Sequence, residues 1–310
     1  MNWRVKALIQ NTVSILPGAL SLNIYYYIQK KFGGLKNFKY DDALKAGVII
    51  WKKILEQGGS PKGKVFFELG TGRAPMLPLS LWLMGADKVI TVDLNNYLKP
   101  EIFYSCITSF LNQYERTHDL FDGYIIKERL DVLREIRNNE FDMASVGIIY
   151  KPNQDAADVD LPAQSIDYYI SYNVLEHIPE QTIKNIFNEG RRLLCNDGFF
   201  VHKIDYSDHF SHSDKSISAI NFLQYSDFSW SFYASKKFMF MNRLRHDDFL
   251  EIFSECSQDV LSAEIEEDKN IDLILSDNDI SLAKRFIGKE KKIICITGAW
   301  LVTKCDENLS

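Results

Sequence analysis

The chain is short of the features that mark several common classes of protein. It has 5 cysteines in 310 residues, an odd number, at Cys106, Cys195, Cys256, Cys295 and Cys305. None falls in a Cys-x-x-Cys pair, so neither a disulfide framework nor a structural zinc site is supported. A reducing compartment fits, and the cytoplasm is the expected location. Positive charge is also scarce: 36 Lys and Arg stand against 42 Asp and Glu, a net charge of −6. Nonspecific nucleic-acid binding needs a basic footprint, so no nucleic-acid partner is expected. No apolar run reaches the roughly 20 residues of a membrane span. The uncharged stretch from Ala7 to Gln29 comes nearest, and Pro17, Gly18, Ser21 and Asn23 interrupt it. Pro17–Ser21 superficially suggests a signal-cleavage region, but Gln10, Asn11, Thr12 and Ser14 break the apolar core that a signal needs. There is no internal repeat and no low-complexity linker.

What is present reads as one large α/β unit. Apolar residues make up 46% of the chain, enough for a full core. Two helices are expected before residue 31, stopped between them by Pro17-Gly18, then a turn at 32–35 and an amphipathic helix over 41–57. A strand over 64–68 runs into Gly70-Thr71-Gly72. A helix over 74–85 follows, and a second strand ends at Asp93. Residues 96–140 read as mostly helical. Further strands are expected at 146–150, 165–171 and 199–205, with a helix over 173–194 before the last of these. Near the end, 260–265 and 292–297 read as two final strands, the second continuing through Val302. Strands alternating with helices imply a parallel sheet, with ligand bound outside the carboxyl ends of the strands. Those ends carry Glu68, Asp93, Asp155, Asn173 and Asp205.

In order, Glu68-Leu69-Gly70-Thr71-Gly72, Val92-Asp93-Leu94, Asp155-Ala156 with Leu161-Pro162, and Ile166-Asp167 through Asn173-Val174-Leu175-Glu176-His177-Ile178 resemble the class I S-adenosylmethionine-dependent methyltransferases. Arg191–Leu194 with Asp197-Gly198 extends the likeness, which covers about residues 60–205. The whole chain also resembles, loosely, the uncharacterised methyltransferases of bacterial surface-polysaccharide gene clusters. The resemblance implies a Rossmann-like seven-stranded sheet, mostly parallel, with helices on both faces and an antiparallel last strand. It implies S-adenosylmethionine as cofactor, held by Glu68, Gly70, Thr71, Gly72, Asp93, Leu94, Asp155, Ala156, Asn173 and Val174. Of these, Asp93 would take the ribose hydroxyls and Asp155 the adenine amino group. The gap before Leu161-Pro162 is longer than the family's, which leaves Asp158 as an alternative to Asp155. A nicotinamide-dependent oxidoreductase also opens on Gly-x-Gly with an acid about 20 residues on. Its third glycine would fall where this chain has Pro75, and it has no use for Asp155-Ala156. A cofactor-binding scaffold without catalysis is the other alternative.

We expect 1–59 to form a helical cap and 60–310 the catalytic domain, with a substrate lid at about 206–240. The acceptor is expected to be a small-molecule or glycan hydroxyl. Among His177, His202, His209 and His212, the last two follow the end of the fifth strand, where substrate should lie. Asp205 and Asp208 are possible partners for these bases; His209 is the preferred base, with His212 and Asp208 beside it as catalytic candidates. The run Asp208-His209-x-x-His212-x-Asp214 has divalent-metal residue types, but no spacing in the sequence fixes a geometry, and no metal is expected. Arg243 or Arg245 could offer a guanidinium to an anionic acceptor, or simply charge a helix start. Residues 1–31 could instead touch a membrane surface peripherally.

Overall fold

The computed structural model describes residues 1–33, 35, 40–136, 143–234, 238–277 and 279–306. Gly34 of the expected turn, 137–140 of the helical stretch and 235–237 of the expected lid lie outside the described residues. In chain order the helices are α1 (Trp3–Ser14), α2 (Gly18–Phe32), α3 (Asp41–Glu56), α4 (Met76–Met84), α5 (Pro100–Asn112), α6 (Tyr114–Thr117), α7 (Lys127–Ile136), α8 (Glu180–Leu193), α9 (Asp227–Trp230), α10 (His246–Glu255), α11 (Lys269–Ser276) and α12 (Lys291–Cys295). The strands are β1 (Val65–Leu69), β2 (Lys88–Asp93), β3 (Ile148–Pro152), β4 (Ile166–Tyr172), β5 (Leu194–Asp205), β6 (Gln258–Glu267) and β7 (Ile296–Cys305). They form one sheet in the order β3-β2-β1-β4-β5-β7-β6. The strands β3 to β5 are joined by parallel pairings, and β7 runs antiparallel to β5 and β6. The expected fold class holds.

Strand periodicity sorts the core. Phe66, Tyr168, Ile170 and Val201 face one layer, where they meet α3 and α4. Their neighbours Phe67, Tyr169 and Phe200 face the other, with α8 and α10. Successive residues of a strand point to opposite faces, so a continuous run such as Val65-Phe66-Phe67 is what a strand covered on both sides requires. All nine residues of α4 are buried. Its Pro78 is comfortable because the helix starts at Met76. Pro78 is then the third residue, whose N–H would have had no partner within the helix.

Several boundaries differ from expectation: the helix expected over 173–194 starts only at Glu180, β5 starts already at Leu194, and β6 is longer than 260–265. Two further differences come from packing. Residues 291–295 form α12, and the last strand begins only at Ile296. Ile294 and Cys295 are buried against a third apolar cluster instead of pairing in the sheet, which is why the apolar run misled. The segment 1–59 also does not pack as one cap. Leu44, Val48, Ile50, Trp51 and Ile54 of α3 belong to the main core. Trp3 and Ala7 of α1 pack instead with Phe210, Phe222, Leu223 and Trp230 of the expected lid and with Phe286 beyond it. The Trp3 ring meets Tyr233 at 4.8 Å and Phe210 at 5.5 Å, and its backbone N–H donates to Asp214 at 2.8 Å. The expected lid is thus one half of a small aromatic core completed by α1. Among the described residues no helix is long and apolar enough to cross a membrane.

The turn after β1 depends on its glycines. Gly70 has φ of 87°, and a Cβ there would lie 2.6 Å from Val174 Cγ2. Gly72 has φ of 66° and faces open space. Gly70→Ala therefore meets both backbone strain and a clash with the segment after β4, whereas Gly72→Ala meets the strain alone. We expect Gly70→Ala to lower the melting temperature clearly more than Gly72→Ala does. Equal losses in thermal unfolding would overturn this account of the turn.

Candidate active site

The sheet's order reverses between β1 and β4, and the carboxyl ends there open a cavity of about 870 Å³. Glu68, Gly70, Thr71, Gly72, Asp93, Leu94, Asp155, Ala156, Asn173 and Val174 all line it. Ten positions chosen across more than a hundred residues of sequence are thus brought to one concave surface, within the size usual for ligand sites. Of the two acids left open, Asp155 is in the wall and Asp158 is not.

Each acid is held by its own turn. Asp93 Oδ2 accepts from the Gly72 N–H at 3.2 Å and Oδ1 from the Asn95 N–H at 3.1 Å. Asp155 Oδ1 accepts from the Ala157 N–H at 2.9 Å. Asn173 turns the chain out of β4 with φ of 53°, a region asparagine tolerates. Its Oδ1 is buried without a hydrogen-bond partner. Glu68 is 4% exposed and accepts from the Thr91 hydroxyl. Burial, opposed by that hydrogen bond and reinforced by the nearby Asp93, pushes its carboxyl up to about 8.

That shift has a sign that can be checked. The folded state keeps a proton on Glu68 that the unfolded chain releases near pH 4.5. Stability from this group is therefore full below about 4.5 and is lost as pH rises through about 8. Glu68→Gln removes the titration while keeping the shape. Its melting temperature should fall less than the wild type's between pH 5 and pH 8, and parallel curves would refute the burial argument.

Some wall residues escaped the sequence reading. Tyr25 of α2 lines the cavity and stacks on Phe238 at 4.0 Å. Arg73 lies 5.2 Å from the Tyr97 ring and 5.3 Å from that of Tyr26. The aromatic richness of the N-terminal segment was the available signal. His177 is also in the wall. Its Nδ1 lies 2.7 Å from the Phe240 carbonyl and must carry the proton, which leaves Nε2 as the lone-pair nitrogen. Burial, and then the neighbouring His209, lowers its pKa to about 4.

His209, His212 and Asp208 are not in the cavity wall. His209 sits directly behind it, its ring 4.7 Å from that of His177 and 4.9 Å from that of His212. His209 Nε2 is 3.2 Å from Asp205 Oδ2 and 3.8 Å from Glu176 Oε1. His212 is more exposed, with Nε2 3.6 Å from Asp205 Oδ2. Asp208 turns elsewhere. It is fully buried, and its oxygens accept from the Phe210 N–H at 2.9 Å and the Asn221 amide at 2.8 Å. A carboxylate so occupied holds the loop together and does not reach the cavity, which corrects its placement among the catalytic candidates. Its neighbour in the histidine cluster is Asp205. Burial would raise the Asp205 carboxyl, but His209 and the Ser207 N–H and hydroxyl outweigh it and hold it at about 2. His202 is a core residue, 2.8 Å from the Ser171 hydroxyl.

The arginines are likewise structural. Arg243 donates to the carbonyls of Phe222 and Tyr225 and pairs with Asp227. Arg245 is fully buried and donates to the carbonyls of Tyr206, Ile294 and Ile296. Neither guanidinium is left for an acceptor.

A family model described as a methyltransferase domain matches residues 128–202, from α7 into β5, a stretch that holds Asp155, Ala156, Asn173 and Val174. No curated protein matches the chain. Among solved structures, a geranyl diphosphate methyltransferase in complex with S-adenosylmethionine is similar at 9% identity and a TM-score of 0.48, over 84% of this chain and 85% of that one. A methyltransferase from Methanosarcina mazei gives 12% and 0.44 over 82% and 98%. A putative sarcosine dimethylglycine methyltransferase from Galdieria sulphuraria gives 12% and 0.45 over 84% and 85%. Similarity at this level assigns no substrate to this chain. Over residues 128–202 the chain is similar to a methyltransferase domain, and the sheet order and the glycine turn after β1 agree with that likeness.

Proposed function

We propose that the protein transfers the methyl group of S-adenosylmethionine to a hydroxyl of a small molecule or glycan. The observation that carries the cofactor half is the single cavity lined by the glycine turn, Asp93, Asp155 and Asn173. The residues fit the group. Glu68 is a buried acid whose ionised form an amino-acid ammonium would stabilise, displacing the proton that burial holds there. Asn173 Oδ1 is a buried acceptor with nothing to accept from. Gly72 presents bare backbone to the cavity. In this reading Glu68 and the Gly70–Gly72 turn hold the methionine part, Asp93 orients the ribose, and Asp155 with the Ala156 N–H orients the adenine. Tyr25, Tyr97 and Phe240 add aromatic surface to the cavity wall.

When bound, the cofactor supplies an electrophilic methyl on a sulfonium. What the chain adds is alignment and a destination for the acceptor's proton. Alignment alone is worth up to roughly 7–11 kcal/mol in well-oriented reactions. His177 is too weakly basic to keep a proton at neutral pH, so its Nε2 serves to orient an acceptor O–H. His209, with its ring 4.7 Å behind that of His177 and Asp205 beside it, is the group to which the proton passes by way of water. What supports an oxygen acceptor is this pairing of an imidazole and a carboxylate beside the cavity. The test is to incubate the protein with S-adenosylmethionine and hydroxylated small molecules and glycans, following release of S-adenosylhomocysteine. Product with a hydroxyl acceptor supports the reading. Cofactor affinity without product from any acceptor would leave a binding protein instead.

A further inference from the structure

The histidine cluster behind the cavity has more donors than a base requires. We infer that Asp205, His209, His212 and Glu176 form a binding site for a first-row divalent transition ion. For its role in handling the acceptor this rests on the function proposed above; as a metal site it stands on geometry alone.

The distances are those of a coordination shell. His209 Nε2–Asp205 Oδ2, His212 Nε2–Asp205 Oδ2 and His209 Nε2–Glu176 Oε1 measure 3.2, 3.6 and 3.8 Å. Ligands at about 2.0–2.2 Å from a tetrahedral ion lie about 3.4 Å from one another, and somewhat closer around an octahedral one. The donors are gathered in two overlapping triads, Asp205-His209-His212 and Glu176-His177-His209, whose ligand atoms lie within 4.8 Å of one another in each. His209 belongs to both.

Glu176 supplies an independent reason. It is 2% exposed, and neither carboxylate oxygen has a hydrogen-bond partner. His209 Nε2 is buried without one as well, because at 3.2 Å from Asp205 it does not aim along the line an N–H would need. A buried carboxylate and a buried imidazole nitrogen, both unsatisfied and 3.8 Å apart, are costly unless something sits between them. A cation does this for both at once. Ser207 donates its N–H and its hydroxyl to Asp205 Oδ1 at 2.8 and 2.6 Å, and its oxygen accepts from His212 Nε2 at 3.0 Å, a proton that His212 gives up when an ion binds. That leaves Oδ2, the oxygen nearest both histidines, free to ligate, in the way second-shell partners orient metal ligands.

The set differs from the one the sequence suggested. Asp208 is engaged with Asn221, and Asp214 with Trp3 and Ser216. Glu176, which comes from the turn before α8, completes it. Two imidazoles with carboxylates favour zinc, cobalt, manganese or iron over magnesium or calcium, which prefer all-oxygen shells. With an ion bound, His209 would be a ligand and no longer a base; the ion would make the acceptor's hydroxyl more acidic, and its proton would pass to solvent water.

The test uses the full-length, tag-free protein stripped with chelator and titrated with Co2+ and with Zn2+. One ion per chain is expected, with visible Co2+ absorption. Asp205→Asn and His212→Ala should each lower affinity by more than about 10²-fold, and Ser207→Ala by about 10–100-fold. His212 is largely exposed, so its variant should fold, and thermal melts check all three. No stoichiometric uptake by the wild type, or affinities unchanged in Asp205→Asn and His212→Ala, would overturn the proposal. Titration of S-adenosylhomocysteine into the same apo-protein reports on the cofactor cavity separately. Loss of that binding alone would sink the methyltransferase reading and leave the metal site standing.

Discussion

Asp93→Ala is expected to weaken S-adenosylhomocysteine binding by on the order of 10²–10⁴-fold. A carboxylate at the end of β2 can accept from both hydroxyls of a ribose, and hydrogen bonds to a charged group contribute roughly 1.5–3 kcal/mol each. Two such bonds at about 1.4 kcal/mol per tenfold give that range. The variant has a second effect, because Asp93 also accepts from the Gly72 and Asn95 N–H groups and so shapes the glycine turn. Asp93→Asn separates the two. It keeps one acceptor oxygen and the size of the side chain, so it should retain the turn and lose only about tenfold. Isothermal titration calorimetry measures both variants. An affinity for Asp93→Ala within a few-fold of the wild type would remove Asp93 from the site and, with it, the cofactor reading.

The wall of this cavity was legible because its residues are tied to backbone geometry. A glycine at φ of 87° beside Val174, an acid at the end of a strand and an asparagine at φ of 53° leave marks that spacing reveals. Strands buried on both faces were legible for a similar reason, as continuous apolar runs. What could not be read is what depends on long-range packing. Nothing near Trp3 in sequence announces that its partners are Phe210 and Tyr233. Ile293-Ile294-Cys295 has strand composition, yet it forms a short helix because the third apolar cluster takes its buried residues. On the acceptor side, the sequence offered both Asp205 and Asp208 as partners of the histidines, and only Asp208 was placed among the catalytic candidates. The chain turns between them, so the carboxylate of Asp205, four residues back, meets the ring and that of Asp208 goes to Asn221. Glu176 was visible only as part of a helix-start motif, since its approach to His209 crosses from β4's end to β5's.

His209→Ala is the variant that tests the acceptor side most directly, and its expected effect is a loss of about 10²–10⁴-fold in the rate of methyl transfer. Binding of S-adenosylhomocysteine should change little, because His209 is not in the cavity wall. A fall in kcat with unchanged cofactor affinity would mean that the lost interaction belongs to the transition state. An undiminished rate, with any acceptor the protein methylates, would remove His209 from the reaction. Chelator then separates its two roles. If His209 takes the proton itself, the wild-type rate should be indifferent to chelator. If it acts as a ligand, chelator should depress the wild-type rate toward that of His209→Ala, and chelator should leave the variant unaffected. His212→Ala sharpens the distinction, since His212 points at the same Asp205 oxygen from a more exposed position. Under the base role it should cost little. Under the ligand role it should reproduce much of the His209→Ala loss, and added Co2+ or Zn2+ at high concentration should recover part of it.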